Sequence, residues 1–130
     1  MANRTFHDVQ SARSELKLIP GRFLFNGTSS PATTYGKGFT IARTGVGVYT
    51  ITLQDRYAEL ESVYWGAGKS AAVAWQVSVT GNVTGGSATN TLSFTYLEES
   101  AGTFAAADPV ANAANWLSFT IAYRTASGAQ

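Results

Sequence analysis

The sequence predicts an all-β domain: an antiparallel sandwich or barrel, jelly-roll-like, of about seven to eight strands with an extended N-terminal arm. Three observations predict it. Short runs alternate apolar and polar residues, the period of a half-buried strand. Clusters rich in Gly, Ser, Thr and Asn separate those runs. No helical apolar stripe extends beyond about two turns. At 130 residues the chain has the size of one domain and can bury a core without staples. The expected division is an arm over residues 1–15 and a single β domain over residues 16–130.

The arm carries Arg4, His7, Asp8, Arg13 and Glu15 without an apolar periodicity. Such a segment either orders by contact with another chain or is a frayed terminus. Next come Leu16-Lys17-Leu18-Ile19 and then Pro20-Gly21, a turn signal, with Arg22 to Asn26 as the following strand. Gly27 to Thr34 reads as a polar loop. Phe39 to Arg43 and Val48 to Leu53 form a β-hairpin around Thr44-Gly-Val-Gly47, with a loop somewhat longer than the tightest two-residue type. Its second strand sets Tyr49, Ile51 and Leu53 on one face, opposite Val48, Thr50 and Thr52.

Gln54 to Leu60 is the most charged patch and reads as a turn or short helix, and Ser62 to Trp65 as a short strand. Ala71 to Val79 alternates, with Val73, Trp75, Val77 and Val79 together, and Thr91 to Leu97 does the same with Leu92, Phe94 and Tyr96. These two form a long antiparallel pair across the loop Thr80 to Asn90, whose exposed tip is a candidate contact site. Glu98 to Asn115 is Ala-rich but cut by Gly102 and Pro109, so it reads as a connection with at most one helical turn. Trp116 to Arg124 is the last strand, with Leu117, Phe119, Ile121 and Tyr123 facing inward.

Charged residues make up 13% of the chain and the net charge is +1. Neither a nucleic-acid nor a membrane-surface role is expected, because both need a concentrated basic patch. No apolar run approaches the roughly 20 residues that span a bilayer, and the polar start Met1 to Asp8 predicts no secretory leader. So little charge fits a surface partly covered by partners better than a monomer kept soluble by charge. With no cysteine, thiolate nucleophiles, disulfides and Cys-based zinc sites are excluded.

The remaining chemistry is sparse. Gly68-Lys69-Ser70 ends like a phosphate-binding loop, but Val63 stands where the motif needs its first glycine, and the next residues alternate like a strand instead of opening a helix. It reads as a turn with an exposed lysine. Asp55, Glu59 and Glu61, and the pair Glu98 and Glu99, read as solvated loop charges, although paired carboxylates can hydrolyse glycosides when held across a sugar. His7 is the single histidine; no Gly-x-Ser-x-Gly turn accompanies it, and the carboxylates lack calcium-loop spacing. No enzymatic activity, cofactor or metal is expected. Trp65, Trp75 and Trp116 lie in or beside apolar-patterned strands and are expected in the core, while exposed aromatics would suit a sugar face or a protein interface.

The run Gly38-Phe-Thr-Ile-Ala-Arg-Thr-Gly-Val-Gly-Val-Tyr-Thr-Ile-Thr-Leu53, followed by Asp55-Arg-Tyr-Ala-Glu-Leu60, resembles small structural proteins of tailed bacteriophages, most of all the capsid cement or decoration proteins. The resemblance covers a fifth to a quarter of the chain and carries over no catalytic residue. It implies a homo-oligomeric virion protein, made in the bacterial cytoplasm, that binds the major capsid protein on the capsid surface. A cement protein needs an arm lying across capsid subunits, which assigns the contact to Arg4, Phe6, Val9 and Arg13, with Phe6 and Val9 as apolar anchors. Asn82, Thr84 and Asn90 are the contact residues expected in the loop Thr80 to Asn90. The alternative is a glycan-binding or tail- or fibre-associated phage β module using Tyr35, Tyr64 and Trp65.

Overall fold

The computed structural model describes residues 16–54, 59–81 and 90–124. They form nine strands: β1 (Leu16–Leu24), β2 (Thr34–Tyr35), β3 (Phe39–Gly45), β4 (Val48–Leu53), β5 (Glu59–Gly68), β6 (Trp75–Gly81), β7 (Thr91–Ser100), β8 (Thr103–Ala106) and β9 (Trp116–Arg124). No helix occurs among the described residues. Two antiparallel sheets pack face to face, one in the order β2-β1-β9-β5 and the other β3-β4-β7-β6, with β8 also paired to β7. The architecture is a sandwich, with strand edges left at the sides of both sheets.

The core comes from the alternation. Tyr49, Ile51 and Leu53 of β4, Leu92, Phe94 and Tyr96 of β7, and Leu117, Phe119, Ile121 and Tyr123 of β9 are all buried. Aromatic rings knit the sheets together: Trp65 lies 4.7 Å from Phe94, Phe25 4.8 Å from Tyr96, and Phe39 5.1 Å from Phe119, centroid to centroid. Edge-on and tilted pairs at these separations add favourable quadrupolar contact to the area they bury.

Several expected boundaries shift, each for a local reason. Pro20-Gly21 does not turn the chain; β1 runs straight through it, with Pro20 opposite Thr120 and Gly21 opposite Phe119. Pro20 is tolerated because β2 pairs only with Arg22 and Phe23, so one side of β1 lacks a partner strand there. Gly21 is required because a Cβ would meet the Phe119 ring at 2.6 Å and the Phe39 ring at 2.7 Å.

The Ser62–Trp65 strand is the middle of the longer β5, which pairs with β9 throughout. A register shift between Leu60 and Ser62 changes its phase, setting Leu60, Val63, Trp65 and Ala67 opposite the inward residues of β9. The β3–β4 turn is tighter than expected: Gly45 pairs with Val48 directly, with a bulge at Thr44. The strand expected from Ala71 starts at Trp75.

The Ala-rich connection holds no helical turn but a second hairpin, β7–β8, whose turn residues Ala101 and Gly102 have φ of 53° and 84°. Two successive positive φ values match the twist of the flanking strands, and the Glu99 carboxylate accepts the Gly102 N–H.

Candidate functional site: the exposed aromatic sheet face

The outer face of the β2-β1-β9-β5 sheet follows from register. β9 turns Leu117, Phe119, Ile121 and Tyr123 inward, so Trp116, Ser118 and Thr120 point outward. Their neighbours on β1 are Leu24, Arg22 and Pro20, and on β5 Gly68, Gly66 and Tyr64. Tyr35 of β2 lies opposite Arg22. The Arg22 guanidinium carbon sits 4.4 Å from the Tyr35 ring centroid and 5.4 Å from that of Trp116. A cation held between two π faces contributes about 0.5–1 kcal/mol per contact at an exposed site and fixes the orientation of both rings.

Glycines on β5 make room for this arrangement. A Cβ on Gly68 would overlap the Trp116 indole, and one on Gly66 would come within 2.8 Å of the Ser118 hydroxyl oxygen. The indole thus rests across β5 beside small residues. Tyr64 on the same face is 66% exposed and Tyr35 46%. The result is a surface of rings and hydroxyls around the Arg22 guanidinium, suited to contact.

The polar clusters elsewhere are structural. Arg43, on the inward face of β3, donates through its guanidinium to both oxygens of Asp108, at 3.0 and 2.6 Å. Asp108 also accepts the Gly47 N–H at 2.9 Å, and Arg43 donates to the Thr28 carbonyl at 3.0 Å. This fork ties three segments together at one end of the sandwich. The Arg43 hydrogen bond holds the Asp108 carboxyl below its ordinary range, and the same bond raises the Arg43 pKa. Because the folded-state pKa of Asp108 is depressed, the stability it contributes is complete above about pH 4 and is lost as pH falls through the folded value. The gap in urea midpoint between the wild type and Asp108→Asn should therefore be wide at pH 7 and close below pH 3.8; a gap independent of pH would contradict the ion pair's role.

Lys69 is not the exposed lysine expected of its turn: its ammonium lies 2.8 Å from Glu98, with 16% of the side chain exposed. Glu98 and Glu99 are not loop charges either, since both lie within β7. Glu98 also accepts the Tyr96 hydroxyl at 2.8 Å. Burial, reinforced by that hydrogen bond, raises the Tyr96 pKa.

Tyr49 contrasts with Tyr96. Its hydroxyl is buried without a hydrogen-bond partner among the described residues, and burial pushes its pKa up to about 12. A buried unsatisfied hydroxyl costs about 1–3 kcal/mol. Tyr49→Phe should consequently be neutral or stabilising by about 1 kcal/mol in urea denaturation at neutral pH, and a loss of stability would show that the hydroxyl is satisfied after all.

Of the expected contact residues, Arg4, Phe6, Val9, Arg13, Asn82 and Thr84 lie outside the described residues. Asn90 is described and is bound locally: its amide donates to the Leu53 carbonyl at 3.0 Å and its own carbonyl accepts the Leu53 N–H at 2.7 Å. It closes the β4–β7 ladder. Trp65 does not line the exposed face but packs inward between Phe94 and Phe119. Trp116, expected in the core, stands on the outer face instead. The alternation that turns Leu117 inward already placed it there, a signal outweighed by the apolar character of tryptophan.

A shallow cavity of about 150 Å³ opens beside Leu24, Asn26, Thr33 and Asn112; its lining residues include no acid–base group. Among the described residues no group of three or more His, Asp or Glu side chains gathers as a metal site would require. Comparison of the chain with protein-family models, with curated proteins and with solved structures returns no match.

Proposed function

We propose that this chain is a non-enzymatic virion structural protein that binds the outer surface of a phage capsid and cements or decorates it as a homo-oligomer. The observation that carries the reading is the outer aromatic face, with exposed Tyr35 and Tyr64 beside half-buried Arg22 and Trp116 in a chain of low charge. Exposed Tyr and Trp with an interleaved Arg are the residue types that anchor protein interfaces. The hairpin that resembles phage cement proteins forms β3–β4, and its Tyr49, Ile51 and Leu53 are core. In this reading the hairpin is scaffold, and contact falls to the aromatic face together with the segment 1–15.

Two variants test the division of labour. Tyr35→Ala combined with Tyr64→Ala removes two exposed rings, and should weaken co-sedimentation with purified capsids at least tenfold while leaving the urea midpoint nearly unchanged. Deletion of residues 1–14 should abolish attachment and leave a folded domain. Unchanged capsid binding by both variants would count against this surface and this segment.

The exposure of Tyr35 and Tyr64 also favours the second reading, a glycan-binding or fibre-associated module, since a flat ring can stack on a sugar face. A glycan array with the intact protein separates the two. Absence of any sugar binding removes the second reading and leaves the first intact.

A further inference from the structure

The outer edges of the two sheets are not equivalent. β2 is two residues long and β8 four. β5 carries Glu59 and Glu61 beside a register shift and ends in Gly66-Ala67-Gly68. β3 has a bulge at Thr44, and its Arg43 N–H is already taken by the Ser30 hydroxyl at 3.0 Å. Short length, charge, bulges and a covering loop are the devices that stop an edge from recruiting another strand. β6, Trp75-Gln-Val-Ser-Val-Thr-Gly81, has no charge and no proline. Its one irregularity falls at the far end, between Val79 and Gly81. Among the described residues no strand pairs its outer side.

The hydrogen-bond phase of β6 follows from its partner. The Glu99 N–H donates to the Ala74 carbonyl at 2.9 Å, which makes Ala74 and Glu99 a hydrogen-bonded pair. In an antiparallel ladder such pairs alternate with non-bonded ones. Gln76 with Leu97 and Ser78 with Thr95 then bond across the ladder, while Trp75, Val77 and Val79 aim their N–H and C=O groups away from β7. Tyr96, opposite Val77, agrees with this phase: its backbone is spent on the other side, donating to Gly47 and accepting from Ala107.

We propose that β6 is a homodimerisation edge, pairing antiparallel with β6 of a second copy about a two-fold axis at Val77. This extends the homo-oligomer part of the reading above but rests on edge geometry alone. The axis at Val77 is the register in which the outward groups meet their equals. Val77 faces its own copy, and Trp75 faces Val79 of the partner in both directions, each pair exchanging N–H···O=C bonds. The side chains then agree on both faces. Trp75, Val77 and Val79 are partly buried against the core, so their pairing continues the apolar interior from one sandwich into the next. On the outer face Gln76 meets Ser78 of the second copy, a neutral amide–hydroxyl pair in the closely spaced, non-bonded position. No like charges oppose one another, and the contact is isologous, hence closed at two subunits.

The test is sedimentation equilibrium of the purified full chain without capsids, so that it can fail or succeed independently of capsid binding. The wild type is expected as a dimer at micromolar concentration. Gln76→Lys combined with Ser78→Lys should weaken dimerisation at least tenfold by opposing like charges across the axis, while near-native circular dichroism shows that the sandwich persists. Val77→Pro is the second variant: it removes an outward N–H and spares the β7 ladder, and should have the same effect. A wild-type monomer, a trimer, or a dimer unaffected by both variants would each overturn the proposal.

Discussion

Gly47→Ala should lower the unfolding free energy by about 4 kcal/mol, among the largest effects expected of any single methyl group in this chain. Two causes act together. Gly47 has φ of +68°, a region that costs a residue with a Cβ about 1–2 kcal/mol. Its position is also closed: a Cβ would sit 2.6 Å from the Tyr96 carbonyl oxygen and 2.9 Å from the Ala107 nitrogen. Both are backbone atoms and neither can swing aside. β4 and β8 both pair with β7, one beyond the other, and Gly47 stands where they meet.

Making room there disturbs the bond from Tyr96 N–H to Gly47, at 2.7 Å, and that from Ala107 N–H to Tyr96, at 3.2 Å. Gly27 supplies the control. Its φ of +62° is similar, but nothing lies within 4 Å of an added Cβ, so Gly27→Ala should show the backbone cost alone, about 1–2 kcal/mol. Equal urea midpoints for the two variants would contradict the close approach at Gly47.

Asn115→Ala should cost about 3 kcal/mol. Asn115 is 1% exposed and joins segments distant in sequence. Its side-chain oxygen accepts the Ser70 N–H at 2.8 Å just after β5, and its side-chain nitrogen donates to the Val110 carbonyl at 3.0 Å. Its backbone carbonyl accepts the Phe25 N–H at 3.0 Å. Removing the amide leaves a donor and an acceptor without partners, which costs more than the net worth of the lost bonds. Asn115→Asp discriminates further. It keeps an acceptor for Ser70 but sets a carboxylate against the Val110 carbonyl, and should be no more stable than Asn115→Ala at neutral pH. Near-wild-type stability of both variants would show that the Asn115 amide holds nothing together.

The faces of the central strands were legible because their causes are local. A period of two over Val48–Leu53, Thr91–Leu97 and Trp116–Arg124 decides which side chains enter the core, and those side chains are buried. Features with distant causes were not legible. Pro20-Gly21 has the composition of a turn, and only the rings of Phe39 and Phe119 explain a glycine inside a strand. The alternation of β5 is broken by its own bulge, so a ten-residue strand reads as a short one. The β7–β8 turn puts Ala101 where Asn or Gly is the usual sign of two positive φ values. The Arg43–Asp108 fork joins residues 65 positions apart, and no spacing rule reaches that far. The aromatic face was half legible: Tyr35 and Tyr64 stand out as candidates, and Trp65 packs inward as its strand pattern predicts, but Trp116, expected in the core for the same reason, lies on the outer face.

The most direct test of the proposed function is co-sedimentation of the intact purified protein with tailed-phage capsids stripped of their decoration proteins. Saturable pelleting at a fixed ratio to the major capsid protein is expected, lost when the capsid surface is already decorated. Folded protein that stays in the supernatant at every capsid concentration would contradict it.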